Sequence, residues 1–152
     1  MTQVQAEEIA FSWHYEGDYS FYDIEADQED LAEFIDPAKR NDAYFVAMNG
    51  DDIIGFFCFS LLDDRTVDIG LGMRPGLTGS GNGFDFFRSG MEFAKLTYQA
   101  TILTLSVATF NERAIRLYKK VGFVEESTFM QQTNGSSYEF IKMSYTYVKE
   151  GL

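Results

Sequence analysis

Between residues 66 and 97 a strand, a run of glycines and a helix follow one another, and this succession limits the possible folds more than any other feature of the chain. Thr66-Val67-Asp68-Ile69-Gly70-Leu71-Gly72-Met73 alternates with the period of two expected of a strand. Gly79-Ser80-Gly81-Asn82-Gly83 follows. From Phe84 to Thr97 the apolar residues Phe84, Phe87, Met91 and Ala94 fall on one helical stripe. Glycines let a backbone bend and approach a ligand, and the first N–H groups of a helix have no partner inside it. A strand, such a turn and a helix start therefore form a site for an anion, with phosphate or pyrophosphate as the natural occupant.

Two nucleotide-binding patterns fail on their spacing. The dinucleotide fingerprint needs a third glycine at the sixth position, and counting from Gly79 that position is Phe84. The Walker loop has its glycine spacing from Gly76 to Gly81, but Asn82 stands where the lysine belongs. A glycine-rich turn with no ligand fits the loop by itself equally well.

A second segment breaks the tie. A strand from Ile102 to Val107 leads into a helix opening at Asn111, with Ala114, Ile115, Leu117, Tyr118 and Val121 on its apolar side. Lys119, Lys120 and Gly122 close that helix as a C-terminus favours. Pro75-x-x-x-Gly79-x-Gly81-x-Gly83 followed by Asn111-x-x-Ala114-x-x-x-Tyr118-x-x-x-Gly122-Phe123 resembles the GNAT superfamily of N-acyltransferases. The resemblance spans residues 66 to 124. It departs from the family at Thr78, where an Arg or Gln is usual. It implies an α+β fold with a mixed, largely antiparallel sheet flanked by helices, in a single domain over residues 1–152. The family opens with a strand, whereas this sequence begins at the first helix, so that strand is expected to be truncated or missing.

The resemblance also implies the chemistry, an amine attacking the thioester of acetyl-CoA. The cofactor would lie on Thr78, Gly79, Ser80, Gly81, Asn82, Gly83 and Phe84, along Leu71 and Met73, and against Asn111 and Tyr118. Tyr118 matches the tyrosine that protonates the leaving thiolate, or else is a core residue. Asp68 stands mid-strand beside Gly70 and Gly72, where the family often has a glutamate base. The shorter Asp favours a water relay, and a structural hydrogen bond is the alternative. Asn111 can cap its helix and also bond the cofactor's amides. Backbone N–H groups near Met73 would polarise the carbonyl. The acceptor pocket, by the same resemblance, draws on Trp13, Tyr15, Tyr19, Phe21, Tyr22, Glu25 and Tyr138. Aromatics with a carboxylate suit a cation or a peptide N-terminus. A non-catalytic CoA-binding or interaction module remains the rival to an acetyltransferase.

Composition bounds the partners. The 24 acidic against 12 basic residues give a net charge of −12, which argues against a nucleic-acid partner and opposes a phosphate-bearing cofactor at long range. No apolar run is long enough for a membrane span, and the N-terminus has no signal-peptide pattern. With one cysteine, Cys58, there is no internal disulfide, which fits a reducing cytoplasmic setting. His14 is the sole histidine and has no partners at metal spacing, so no metal is expected. The oligomeric state, a dimer included, is open. Elsewhere the pattern predicts a helix over 3–14 with Val4, Ala6, Ile9, Ala10 and Trp13 on one stripe, and an aromatic loop over 15–22. A short helix over 28–35 and a hairpin of 44–48 with 53–62 follow. A closing hairpin of 123–131 with 138–148 turns at Asn134-Gly135.

Overall fold

The computed structural model describes residues 1–77 and 82–147. The expectations for Thr78, Gly79, Ser80 and Gly81, and for the strand end at Val148, lie outside the described residues. The chain runs α1 (Gln3–Ser12), two 3-10 turns (Gly17–Tyr22 and Ile24–Ala26), α2 (Gln28–Ile35) and α3 (Pro37–Arg40). Then come β1 (Tyr44–Asn49), β2 (Asp52–Leu61), β3 (Thr66–Met73), α4 (Asn82–Tyr98), β4 (Ile102–Ala108), α5 (Glu112–Val121), β5 (Val124–Thr133) and β6 (Ser136–Thr146). The six strands form one sheet in the order β1-β2-β3-β4-β6-β5. Every neighbouring pair is antiparallel except β3 with β4, which α4 joins as the crossover that a parallel pair needs. This is the mixed, mostly antiparallel α+β sheet expected, and among the described residues α1 is the first element.

Separate cores cover the two faces. On one, α4 and α5 pack Phe86, Phe87, Met91, Ala94 and Tyr118 onto Phe57, Phe59, Val67, Leu103 and Leu105. Phe57 stacks on Phe86 at 4.5 Å, and a methyl group at Gly90 would run into the Phe57 ring. On the other face, α1 and α2 bury Ala6, Ile9, Ala10, Trp13 and Phe34 against Ile53 and Phe56. Arg40 is 4% exposed. It donates to the Phe34 carbonyl (2.7 Å) and to Gln3 Oε1 (2.8 Å), so one guanidinium ties α3 to the C-terminal end of α2 and to α1.

Several boundaries and stripes differ from the sequence pattern. α1 stops at Ser12, with Trp13 as its C-cap, and not at His14. Val4 is 76% exposed and does not belong to the buried stripe, because two residues from Ala6 is more than half a turn away from it. The 15–22 segment contains a 3-10 turn where a plain loop was expected. On α4, Phe84 is half-buried, while Phe86 and Gly90 are buried. On α5 only Tyr118 is fully buried, and Ala114, Ile115, Leu117 and Val121 stay half-exposed.

Candidate active site

β3 and β4 pair only from Thr66↔Ile102 to Asp68↔Thr104, although both strands run on to Met73 and Ala108. Beyond that point they part. The parting exposes Leu71 and Met73, which continue the buried series Val67 and Ile69. It also removes the ladder partners from the facing strand edges, and backbone N–H and C=O groups left this way call for a ligand or water. A cavity of about 730 Å³ opens there. Ile69 to Met73 form one wall and Leu105 to Val107 the other, with Ala114, Leu117 and Tyr118 of α5 beneath.

One end of the cavity is basic. Arg113, Arg116 and Lys120 share a face of α5 at helical spacing and line it together with Gly83 and Phe84 at the start of α4. Lys120 Nζ lies 5.0 Å and the Arg88 guanidinium 5.7 Å from the Phe84 ring centre. Arg113, Arg116 and Lys120 form no ion pair among the described residues. A chain of net charge −12 thus sets Lys120 and Arg88 against the first turn of α4 and lines the same cavity with Arg113 and Arg116. At short range this reverses the unfavourable field inferred from composition. The signal, cations at positions 113, 116 and 120, is present in the sequence but reads as a solvated helix face.

The other end is aromatic. Ile9 and Trp13 of α1, Phe56 of β2 and Ile24 form its wall, with Trp13 and Phe56 6.4 Å apart. A side chain at Gly72 would clash with the Phe56 ring, so that glycine lets the ring lie over β3. Tyr15, Tyr19 and Tyr22 from the 15–22 segment cover the middle. Tyr15 donates from its hydroxyl to the Met73 carbonyl (2.5 Å) and from its N–H to Asp23 Oδ1 (2.8 Å). Burial raises the Tyr15 and Tyr22 hydroxyls, so both remain protonated donors. Asn111 caps α5 by accepting from the Ala114 N–H (3.2 Å) and donates to the Tyr22 hydroxyl (3.1 Å), which locks the segment onto α5.

Tyr118 lies at the centre. Its ring is 4.9 Å from Phe87 and 6.1 Å from Phe123. Its hydroxyl has no hydrogen-bond partner among the described residues, yet no described side-chain polar atom is both sealed from solvent and unpaired, so the hydroxyl opens to the cavity. Burial drives its pKa upward.

Asp68 does not line the cavity. It lies on the sheet face of Gly70 and Gly72, two residues from Gly70, which is roughly 6.6 Å along a strand. Thr104 Oγ1 donates to its Oδ1 (2.7 Å). Burial raises its pKa, opposed by the Thr104 bond and the charge of Lys142. Three expected acceptor residues, Phe21, Glu25 and Tyr138, also fall outside the lining. Glu25 is exposed, and Tyr138 packs on Phe21 at 4.7 Å, in an aromatic cluster with Phe110 and Phe140. His14 Nδ1 sits 3.3 Å from Asp23 Oδ2, and among the described residues no three potential ligands are grouped to hold a metal. No helix among the described residues is long and apolar enough to cross a membrane.

The model of the acetyltransferase (GNAT) family matches residues 7–123. The chain belongs to that family, and with it to the acyltransferases. Among curated proteins no significant sequence match is found. Solved structures with the same fold include a spermidine N-acetyltransferase from Vibrio cholerae in complex with CoA and spermine, at 21% identity and TM-score 0.64 over 78% of this chain and 74% of that one. A chimera of the Vibrio cholerae enzyme with hSSAT matches at 21% identity and TM-score 0.64 over 78% of this chain and 76% of that one. A provisionally assigned phosphinothricin N-acetyltransferase matches at 16% identity and TM-score 0.65 over 78% and 85%. At these identities the likeness is one of fold.

Proposed function

We infer that the protein transfers an acetyl group from acetyl-CoA to a primary amine by direct attack, with donor and acceptor bound together. The observation that carries this is the parting of β3 and β4 over the Tyr118 hydroxyl, with a basic end on one side and an aromatic end on the other. When bound, the donor supplies a thioester carbonyl open to attack and a thiolate as leaving group. The residues fit it. The freed strand edges at Leu71 to Met73 and at Leu105 to Val107 suit the amides of a pantetheine arm. The first turn of α4 at Asn82, Gly83 and Phe84, together with Arg113, Arg116 and Lys120, suits its phosphates. The loop residues Thr78, Gly79, Ser80 and Gly81 join them by family resemblance.

Tyr118 holds a proton for the departing sulfur, and burial keeps it protonated. Asp68 accepts the amine's proton through a water, since it stands back from the cavity, and its raised pKa brings it nearer the range of a working base. Tyr15 positions the end of β3. Trp13, Tyr19 and Tyr22 enclose the acceptor. That one structural neighbour holds CoA and spermine supports a CoA thioester as donor and an amine as acceptor. The test follows thiol release and acetylated product by mass over a panel of amines. Tight CoA binding without thiol release for any amine would mark a non-catalytic binding module instead.

A further inference from the structure

The acceptor end of the cavity carries a specificity that the fold alone does not dictate. Among the described residues, no Asp or Glu lines the cavity at all. Its basic groups, Arg113, Arg116 and Lys120, belong to the donor end, and its acceptor end is Ile9, Trp13, Ile24 and Phe56. Aromatic faces can substitute for carboxylates in holding a cation, but here two are already occupied. The Arg113 guanidinium lies 4.5 Å from the Tyr19 ring centre, and that of Arg74 lies 5.9 Å from Trp13. Glu25, beside Ile24, is exposed and does not line the cavity, and three other carboxylates near it have partners. Asp23 accepts from the Tyr15 N–H (2.8 Å) and faces His14, and Glu8 pairs with Arg74 at 3.4 Å. Asp68 is hydrogen-bonded to Thr104 and feels the charge of Lys142.

Resting on the acetyltransferase reading above, we propose that the acceptor is a monoamine with an aromatic or branched apolar body and no second positive charge, and that polyamines are excluded. The reacting nitrogen needs one proton acceptor, and Asp68 through a water supplies it. A second ammonium would enter a wall of Ile9, Ile24 and Phe56 that no described carboxylate lines. A buried charge without a partner is costly, whereas an apolar body gains from the same wall. Shape and charge therefore discriminate in the same direction.

The experiment compares 2-phenylethylamine with spermidine on the wild-type protein, and again on Ile24→Glu. Ile24 is half-buried, lines the cavity and packs on the α1–α2 core, so the fold of Ile24→Glu is verified by circular dichroism before the comparison. Thiol release gives kcat/KM, and calorimetry in the presence of CoA gives amine affinity independently of turnover. The wild type is expected to favour 2-phenylethylamine by about 10²-fold. Ile24→Glu is expected to shrink that ratio at least tenfold, by weakening the aromatic amine and admitting the polyamine. Spermidine bound or turned over as well as 2-phenylethylamine, binding of neither, or an unchanged ratio in a folded Ile24→Glu variant would overturn the proposal. Preferred binding of 2-phenylethylamine without thiol release would support this acceptor class and overturn the catalytic reading. Efficient turnover of spermidine would do the reverse.

Discussion

Replacing Tyr118 with Phe removes one oxygen and leaves the ring where Phe87 and Phe123 hold it. The hydroxyl makes no hydrogen bond within the described protein, so its loss strands no buried partner. Stability should change by less than about 1 kcal/mol, because the penalty for an unpaired group does not arise. Turnover should behave differently. A positioned general acid contributes about 10² to 10⁴ in rate, so the variant should lose at least about 2.7 kcal/mol of transition-state stabilisation. Since nothing but a proton source is removed, CoA affinity should remain within about twofold, less than ~0.5 kcal/mol. Tyr118→Ala makes the necessary contrast. Deleting the ring opens the core beneath α4 and should cost about 3–5 kcal/mol of stability. The assay combines thermal or urea unfolding, CoA calorimetry and single-turnover acetylation, so that chemistry is read directly. If Tyr118→Phe acetylates at the parental single-turnover rate, the proton comes from elsewhere and Tyr118 is a packing residue. If it instead loses as much stability as Tyr118→Ala, the hydroxyl is bonded and the open-hydroxyl geometry is wrong.

Asp68→Asn keeps the acceptor oxygen for Thr104 and removes a charge whose burial raises its pKa. A carboxyl with a raised folded pKa favours folding below its unfolded pKa, and that contribution is lost as pH rises through the folded value. The variant should therefore be no less stable than the parent at neutral pH by urea unfolding, while its turnover falls and recovers as alkaline pH delivers the amine already neutral. Charge-neutralising Arg116 or Lys120 to Gln should weaken CoA about fivefold each, ~1 kcal/mol for an exposed charge, with a smaller salt dependence in calorimetry. His14 Nδ1 faces the Asp23 carboxylate and its Nε2 faces the Phe11 carbonyl at 3.0 Å, two acceptors that suit the protonated ring and raise its pKa above the ordinary 6.5. Its hold on the 15–22 segment should be complete below that ordinary value and fade as pH rises through the raised one. Hydrogen exchange of Tyr15 to Tyr22 should show that dependence, and His14→Gln should abolish it.

Most strands and helices were legible because their periods are strong. β3 matches its alternation residue for residue, Asn111 caps α5, and Asn134-Gly135 turns the last hairpin. The acceptor side was not legible, for a physical reason. Glu25 and Tyr138 are near the right elements in sequence, but whether they face the cavity depends on how the 3-10 turn at Gly17–Tyr22 rolls over α5. That roll is set by the long-range bonds Asn111–Tyr22 and Tyr15–Met73, which join residues 89 and 58 positions apart. Phe56 was hidden for a related reason. In the run Ile53 to Leu62 every residue type is compatible with a core, so the run does not reveal that one ring, lying over Gly72, borders the cavity. Tyr118 could be singled out through its motif, but whether its hydroxyl meets a partner or open space is a question of packing.

The two cores lie on opposite faces of the sheet, and this shapes how the protein can change. Of the cavity lining, Leu117 and Tyr118 belong to the α4–α5 core, whereas Ile9, Trp13 and Phe56 belong to the other. Substitutions in one layer share few neighbours with those in the other, so their effects on stability should sum with little interaction. Arg40 adds to the independence of this layer by bonding α1, α2 and α3 to one another. On the proposed acetyltransferase reading, the wall that would choose the amine can thus be rebuilt by mutation while the side that would handle the thioester stays intact.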